Sequence, residues 1–174
     1  MSAVARVLLS GHVLEEALAA RRAEGGRPPD AVVVIDVLRF TTTLIHGFAR
    51  GATGARAFPN AETAERAKKA LPPGSAILCG ERGGVAIPGF DLGNSPREYV
   101  AEFVFSRTLL FCTTNGTRAL LRTRDARRQL IAAFVNVGAV ARRLRALAAE
   151  AAAGPGGAFE VWIVAAGKDR KSVV

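Results

Sequence analysis

The chain of 174 residues contains little cysteine and no long apolar run. Its only cysteines, Cys79 and Cys112, each end a short apolar run and do not form a CxxC pair. This pattern indicates neither a disulfide framework nor a zinc site. The apolar runs are also far shorter than the ~20 residues that a membrane-spanning helix needs. We therefore expect a protein without a membrane segment.

The first residues lack the features of a secretory signal. Ser10, Gly11 and His12 interrupt the first apolar run. An exported protein would need a cationic start, an uninterrupted apolar block and a small-residue cleavage site. Together with the unpaired cysteines, this predicts a soluble protein of a reducing cytoplasm.

The composition is that of an ordinary globular domain with an excess of basic residues. Hydrophobic residues make up 49% of the chain and charged residues 22%, and this length suits one domain, residues 1–174, with a real core. The net charge is +9, and eight arginines but one aspartate lie between Arg118 and Arg145. No aromatic RNA-binding motif, zinc finger or helix-turn-helix accompanies them. We favour a solvated helical face, with a non-catalytic anion- or nucleic-acid-binding domain as an alternative.

Apolar runs alternate with helical patterns along the chain. This alternation is typical of an α/β domain, in which helices cover the faces of a sheet. Strands are predicted near residues 4–9, 31–37, 54–58, 76–79, 107–112, 129–135 and 159–165.

Helices are predicted between these strands. Residues 12–22 and 136–153 have helical spacing, and Asn60 is placed to cap the helical pattern that follows it. Ser95 begins the capping-box sequence Ser-Pro-Arg-Glu, which predicts a further helix start. The glycine- and proline-rich segment 154–157 is expected to end the last helix.

Four of the predicted strands end in polar or glycine-rich segments. In α/β sheets, ligands bind beyond the carboxyl ends of parallel strands. If these strands are parallel neighbours, their four junctions converge on one cleft. The junctions begin at Asp36, Gly80, Thr113 and Asn136.

The first junction places Asp36 and Arg39 before three threonines, Thr41, Thr42 and Thr43. A carboxylate suits Mg²⁺, a guanidinium matches two phosphate oxygens, and the start of the following helix can hold an anion. The alternative is a structural ion pair beside a threonine-capped helix. The residues themselves leave both interpretations open.

The second junction is a long glycine-rich loop, residues 80–96, that carries Glu81, Arg82, Asp91 and Asn94. A loop of this length with apolar residues among its glycines is typical of a folded site wall. It contains neither GxGxxG nor a P-loop sequence, which disfavours nucleotide binding.

The third junction raises a different possibility. Cys112 and Arg118 have the C-x5-R spacing of cysteine phosphatases, in which a thiolate attacks phosphorus. Residues 113–117 between them form a turn rich in hydroxyl and amide groups, which suits an oxyanion. The haloacid-dehalogenase class is excluded, because Leu38 stands where that pattern needs a second aspartate after Asp36.

Three segments, in order, resemble the 2-phosphosulfolactate phosphatase family: "IDVLRFTTT", "GERGGVAIPGFDLGNSPREY" and "TTNGTRAL". The resemblance runs from about Ala31 to Gly167. It implies a three-layer α/β/α sandwich with a largely parallel or mixed central sheet. It also implies Mg²⁺-dependent hydrolysis of 2-phospho-3-sulfolactate, a step linked to coenzyme M biosynthesis, or of a related small phosphorylated acid. Family members commonly carry threonine at the position of Cys112, which disfavours a cysteine nucleophile.

The C-terminus departs from the family pattern. Family members continue beyond the last strand with a glycine-rich, acidic stretch that includes a Glu-Asp pair. Here "VWIVAAG" is followed by the basic "KDRKSVV". We therefore expect a chain that is shortened at its C-terminus, without the acidic ligands of that region.

These observations together define a predicted site. Asp36, Arg39 and Glu81 are the expected catalytic residues, and Asp36, Glu81 and Asp91 the expected Mg²⁺ ligands. The attacking group is left open between water and Asp36, and a homo-oligomer is left open too. The predicted substrate-binding residues are Arg39, Thr41, Thr42, Thr43, Arg82, Asn94, Thr114, Asn115, Gly116 and Thr117.

Overall fold

The computed structural model describes residues 3–153 and 158–167. Its strands are β1 (Ala3–Leu8), β2 (Ala31–Ile35), β3 (Gly54–Ala57), β4 (Ala76–Arg82), β5 (Val85–Ala86), β6 (Thr108–Cys112), β7 (Gln129–Ala132) and β8 (Phe159–Ala165). Its α-helices are α1 (Gly11–Ala23), α2 (Phe40–Ala49), α3 (Ala61–Lys69), α4 (Ala101–Val104), α5 (Gly116–Arg122) and α6 (Val137–Ala152). Two short 3₁₀ helices cover Pro96–Glu98 and Phe134–Asn136.

The strands form two four-stranded sheets, with the orders β1-β8-β2-β7 and β3-β6-β4-β5. All pairs are parallel except β4–β5, which is an antiparallel hairpin. The predicted α/β class, with mostly parallel strands flanked by helices, is confirmed. The seven predicted strands all form, but they are divided between two sheets, and β5 was not predicted.

The central strands form because their sequences are apolar throughout. In β2, Ala31 to Val34 are buried, as expected for a parallel strand covered on both faces. The predicted strand at 129–135 is shorter in the structure, because Asn136 folds back on it. The side chain of Asn136 accepts a hydrogen bond from the amide of Ala133 (2.9 Å) and donates one to the carbonyl of Ile131 (3.0 Å), which turns the chain into the 3₁₀ helix.

The helix signals were correct in part. The side chain of Asn60 accepts a hydrogen bond from the amide of Thr63 (2.9 Å), so the predicted cap of α3 is confirmed. At Ser95 the amide donates to the carboxylate of Glu98 (3.2 Å), but only one 3₁₀ turn follows. The helix stops because Tyr99 is fully buried and its hydroxyl donates to the carbonyl of Gly93 (2.8 Å).

Helix α6 agrees closely with the pattern at 136–153. The segment predicted to end it, 154–157, and the basic C-terminal residues 168–174 lie outside the described residues. Within the described ranges, no helix combines the length and apolar character needed to cross a bilayer.

Aromatic packing joins α2 to the second sheet beneath the candidate site. The ring of Phe40 packs edge-on against Phe111, with ring centroids 5.2 Å apart, and Tyr99 stacks on Phe111 at 5.8 Å. Helix α5 approaches α2 closely at Gly116, where a Cβ would lie 2.2 Å from the Phe40 ring. This packing fixes the start of α2 next to the ends of β4 and β6.

Candidate functional site

Asp36 follows β2 and lies at the start of α2. Its half-buried carboxylate accepts hydrogen bonds from the backbone amides of Phe40 and Arg39. The pKa of Asp36 is raised to about 6, mainly by burial and also by the nearby charge of Glu81, while the two amides and the charge of Arg39 act in the opposite direction. The carboxylate of Asp36 thus occupies the helix start that we predicted would hold a bound anion.

The three threonines after Arg39 hold the backbone together and are not arranged around an anion. The hydroxyl of Thr41 is fully buried and lies 2.8 Å from the carbonyl oxygens of both Asp36 and Ala132. Thr42 donates to the carbonyl of Val37 (2.7 Å). Thr43, also fully buried, donates to the carbonyl of Asn94 (3.0 Å). In this structure each hydroxyl proton goes to a backbone carbonyl and none is directed at a predicted anion.

Glu81 lies at the end of β4 and is 7% exposed. Its Oε1 accepts from the amide of Thr114 (2.7 Å), and its Oε2 accepts from the amide of Gly84 (2.7 Å) and the hydroxyl of Thr114 (3.1 Å). Burial alone would raise the pKa of Glu81, but these hydrogen bonds and the charge of Arg39 outweigh it and lower the pKa. Glu81 is therefore held in its ionised form.

Two arginines flank the carboxylates. The guanidinium of Arg39 is half-buried and its Nη2 donates to the carbonyl of Gly84 (3.4 Å). In the described part of the chain, Arg39 makes no direct ion pair with Asp36, so the structural ion pair considered as an alternative is not formed. The guanidinium of Arg82 is exposed and donates to the sulfur of Cys112 (3.2 Å). Both guanidiniums can still bind oxygens of an anion.

The structure does not bring Asp91 to this group. Its carboxylate accepts from the ammonium of Lys68 (2.5 Å) and from the amide of Leu78 (2.7 Å) in the middle of β4. Asp91 therefore anchors the loop to the flank of the strand and to α3. The structure therefore does not bring together the three expected Mg²⁺ ligands, since Asp91 lies apart from Asp36 and Glu81. Across the described residues, no group of three or more His, Cys, Asp or Glu side chains could hold a metal ion.

Asn94 lies between the two carboxylate-bearing segments. The chain before it runs parallel to β4, with Leu92 paired to Cys79, so Asn94 reaches the end of the strand where Glu81 lies. Its carbonyl accepts from Thr43 in the first turn of α2. Asn94 is 7% exposed, and its Oδ1 is buried without a hydrogen-bond partner among the described residues. Because buried polar atoms are usually paired, this oxygen is a candidate for contact with a ligand.

Residues 113–117, which form the turn after β6, make mainly intramolecular contacts in this structure. Thr114 binds Glu81, as described above. Thr117 is fully buried and exchanges hydrogen bonds with Thr113, and Gly116 is buried against Phe40. Asn115 lines a separate cleft of ≈ 210 Å³ beside α1. In this structure Gly116 and Thr117 therefore make structural contacts, and both are buried.

The geometry contradicts the cysteine-phosphatase alternative. Cys112 is 0% exposed, and burial raises the pKa of its thiol even though the charge of Arg82 lowers it in part. Arg118 is exposed and lines the cleft beside α1 together with His12 and Glu15. A reactive cysteine needs an accessible, stabilised thiolate beside its arginine, and neither condition is met.

Three of the four predicted junctions meet at the site: those after β2, β4 and β6. The fourth, after β7, contributes the carbonyl of Ala132 as an acceptor for Thr41, and its polar side chain, Asn136, turns back on its own strand. The hairpin of β4 and β5, which carries Gly84 to the carboxylate of Glu81, was not predicted from the sequence. The pair Gly83-Gly84 was the available signal, since both adopt positive φ (62° and 87°) as hairpin turns require.

The structure thus defines an α/β protein in which two carboxylates, of Asp36 and Glu81, and two guanidiniums, of Arg39 and Arg82, lie at the carboxyl ends of parallel strands. The family model described as 2-phosphosulpholactate phosphatase matches residues 18–173. The chain belongs to the 2-phosphosulfolactate phosphatase family, as the resemblance predicted.

Curated relatives agree with this assignment. A probable 2-phosphosulfolactate phosphatase of Synechococcus sp. (strain JA-3-3Ab) is 43% identical over 140 residues, which are 80% of this chain and 54% of that protein. One of Gloeobacter violaceus is 41% identical over 139 residues, 80% of this chain and 55% of that protein. One of Parasynechococcus marenigrum is 48% identical over 116 residues, 67% of this chain and 48% of that protein. The chain spans about half the length of the curated relatives it matches.

Proposed function

We propose that this chain carries the active site of a Mg²⁺-dependent phosphatase. Its substrate is 2-phospho-3-sulfolactate, or a related small phosphorylated acid, which it hydrolyses to sulfolactate and phosphate. The observation that carries the proposal is the meeting of Asp36 and Arg39, after β2, with Glu81 and Arg82, at the end of β4, in a member of this family.

The oxygen atoms at the site fit a magnesium ion. Mg²⁺ binds through one or two carboxylates and keeps several waters, so Asp36 and Glu81 suffice without a third acid. The unpartnered Oδ1 of Asn94 adds a neutral oxygen of the kind that hard cations accept. The pKa of Asp36 is raised to about 6 mainly because burial disfavours the charged form, which a bound cation would favour. When bound, the metal would offset phosphate charge and lower the pKa of a water molecule.

The arginines would bind the anionic groups of the substrate. A phosphoryl group in transfer carries negative charge on its equatorial oxygens, and a fork-shaped guanidinium can donate two parallel hydrogen bonds to them. Arg39 lies nearer the carboxylates and lowers the pKa of both, so we assign it to the phosphate. Arg82 is exposed on the hairpin and is assigned to the sulfonate.

Two routes for the attack on phosphorus stay open. Water can attack directly, so that the bond between phosphorus and the ester oxygen breaks and the alcohol of sulfolactate leaves with a proton. Alternatively, a carboxylate oxygen of Asp36 attacks phosphorus, the bond to the ester oxygen breaks, the alcohol of sulfolactate leaves with a proton from solvent, and water then hydrolyses the acyl-phosphate to phosphate and the free carboxylate. Rapid quenching during turnover separates the routes, because only the second leaves phosphate bound to the protein.

The test is phosphate release from synthetic 2-phospho-3-sulfolactate by the purified, folded chain. We expect turnover that EDTA abolishes and excess Mg²⁺ restores, with phospholactate, which lacks the sulfonate, as a slower substrate. The alternative of a nucleic-acid-binding domain rests on the arginines between Arg118 and Arg145. Absence of turnover in a folded sample, together with tight, salt-sensitive binding of mixed-sequence DNA or RNA, would reject the enzyme proposal in favour of that alternative.

A further inference from the structure

We infer that Thr114 is a positioning residue that fixes the carboxylate of Glu81 and leaves it one open acceptor site, on Oε1. The kinetic effects expected of Thr114 rest on the proposed function, whereas its hydrogen bonds to Glu81 do not depend on that function. Thr114 contacts Glu81 twice, through its amide (2.7 Å) and its hydroxyl (3.1 Å).

The number of hydrogen bonds limits what Glu81 can still bind. An ionised carboxylate offers about four lone-pair sites, two on each oxygen. Oε2 accepts from the amide of Gly84 and the hydroxyl of Thr114, which fills both of its sites. Oε1 accepts from the amide of Thr114 and keeps one site. Glu81 can therefore engage one further partner, through a single oxygen.

The hydroxyl of Thr114 is oriented by a second contact. It accepts a hydrogen bond from the amide of Gly83 (3.2 Å), so its proton is directed to Glu81. A hydroxyl has one proton to donate, and this one is committed. Thr114 therefore acts on substrate through Glu81, and the predicted direct contact between Thr114 and substrate is replaced by this arrangement.

The same hydrogen bonds hold the hairpin of β4 and β5 in place. The amide of Gly83 donates to the hydroxyl of Thr114, and the amide of Gly84 donates to the carboxylate of Glu81. The carbonyl of Gly84 in turn accepts from Arg39. The end of β6 thus fixes Glu81 and the hairpin residue that Arg39 contacts. Loss of the hydroxyl would leave the Glu81 carboxylate held by the amides of Thr114 and Gly84 alone and would open a second acceptor site, on Oε2, without removing any group that touches the substrate.

The experiment compares Thr114→Val, which deletes the hydroxyl at similar volume, with Thr114→Ser, which restores it. We expect Thr114→Val to lower kcat by about tenfold or more with KM changed less than about twofold, and Thr114→Ser to regain most of the loss. Thr63→Val is the matched control, because the hydroxyl of Thr63 also donates to a nearby residue, Asn60, but lies at the start of α3, and it should behave as wild type. A raised KM with unchanged kcat, or wild-type kinetics for Thr114→Val, would overturn the inference.

Amide exchange gives a readout that does not require activity. In Thr114→Val the amide of Gly83 loses its acceptor, so its exchange with solvent, measured by NMR, should be accelerated by about fivefold or more and be slowed again in Thr114→Ser. If the wild-type chain shows no phosphatase turnover, the proposed function fails, and this exchange rate still decides the role of Thr114: unchanged exchange overturns it. Thr114→Ala, which also lacks the hydroxyl, takes the place of Thr114→Val if that variant does not fold.

Discussion

The guanidinium of Arg82 donates a hydrogen bond to the thiol of Cys112 over 3.2 Å, from one strand end to the next. Arg82 ends β4 and Cys112 ends β6, and these strands are paired in parallel. The thiol is fully buried and its pKa is raised, so the sulfur accepts this bond as a neutral group. Cys112 therefore supports an arginine and is not available as a nucleophile.

Replacing Cys112 with serine should keep the enzyme active. A serine hydroxyl can accept the hydrogen bond from Arg82, so we expect kcat/KM within about fivefold of wild type, with turnover still abolished by EDTA. Iodoacetamide should leave the native protein active, because the thiol is buried and protonated. Complete loss of activity in Cys112→Ser, together with EDTA-resistant turnover in wild type, would establish the cysteine mechanism instead.

Replacing Arg39 with lysine separates binding from structure. Lysine keeps the positive charge but loses the fork that binds two oxygens of a tetrahedral anion. We expect kcat/KM to fall by roughly tenfold to a hundredfold, or about 1.4 to 2.7 kcal/mol of transition-state binding, with little change in melting temperature. Arg97→Lys, at an exposed position in the first 3₁₀ helix, is the control. Unaltered kinetics in Arg39→Lys, or a loss that follows unfolding, would show that the residue is structural.

The strands and caps were predictable because local sequence determines them. A continuous apolar run specifies a buried parallel strand such as β2, and an asparagine before a helical pattern specifies a cap such as Asn60. The division into two sheets was not predictable, since it depends on which edges pair across the whole chain. The roles of Thr41 and Thr43 also depend on distant carbonyls, those of Ala132 and Asn94.

Replacing Glu81 with its neutral amide should lower kcat/KM far more than the same change at Asp91. Glu81→Gln removes a charge beside Asp36 and places an amide where the carboxylate accepts three hydrogen bonds, so we expect kcat/KM to fall by about a hundredfold or more. Asp91→Asn disrupts the contact with Lys68 away from the site, and its kcat/KM should stay within about threefold of wild type. Equal losses in the two variants would restore Asp91 to the metal shell and contradict the geometry.

Spacing along the chain predicted the wrong arginine beside Cys112, because the fold brings a residue from a different strand next to it. Arg118 follows Cys112 at the phosphatase spacing, but it faces the cleft beside α1. The arginine that reaches Cys112 is Arg82, thirty residues earlier. The grouping of Asp36, Arg39 and Glu81 was predictable because these residues lie at or just beyond strand ends, and the carboxyl ends of parallel strands face the same way. Asp91 was misplaced because its loop turns back along β4.

Gly80 should tolerate no side chain, in contrast to Gly83. Gly80 has φ +147°, and a Cβ there would lie 1.9 Å from the carbonyl oxygen of Cys112, a backbone atom that cannot move aside. We expect Gly80→Ala to lose about 3 kcal/mol or more of the free energy of unfolding. Gly83 has φ +62° with no atom near its Cβ position, so Gly83→Ala should cost about 1 kcal/mol. Urea denaturation of both variants measures the contrast, and similar losses would argue against the close contact of β4 and β6.

Removing the charge of Asp36 should stabilise the protein while abolishing its activity. The pKa of Asp36 is about 6 in the folded chain, above its ordinary value of 3.8, mainly because burial disfavours the charged form. The folded state therefore binds this proton more tightly than the unfolded state, and the stability that the protonated group contributes is lost as pH rises from about 4 to above 6. Asp36→Asn has no such loss.

The measurement is urea denaturation of wild type and Asp36→Asn in buffers that contain EDTA. We expect similar free energies of unfolding near about pH 4 and an advantage for Asp36→Asn of about 1 to 2 kcal/mol near about pH 7.5, reduced from the full linkage value because the carboxylate is only half-buried. Asp125→Asn, at an exposed position, should show no such pH-dependent advantage. Mg²⁺ without EDTA should stabilise wild type but not Asp36→Asn, since the carboxylate that would hold the ion is gone. A wild type that is the more stable protein near about pH 7.5 in EDTA would mean that the amides of Arg39 and Phe40 outweigh burial, and that the carboxylate does not need a metal ion to offset its charge.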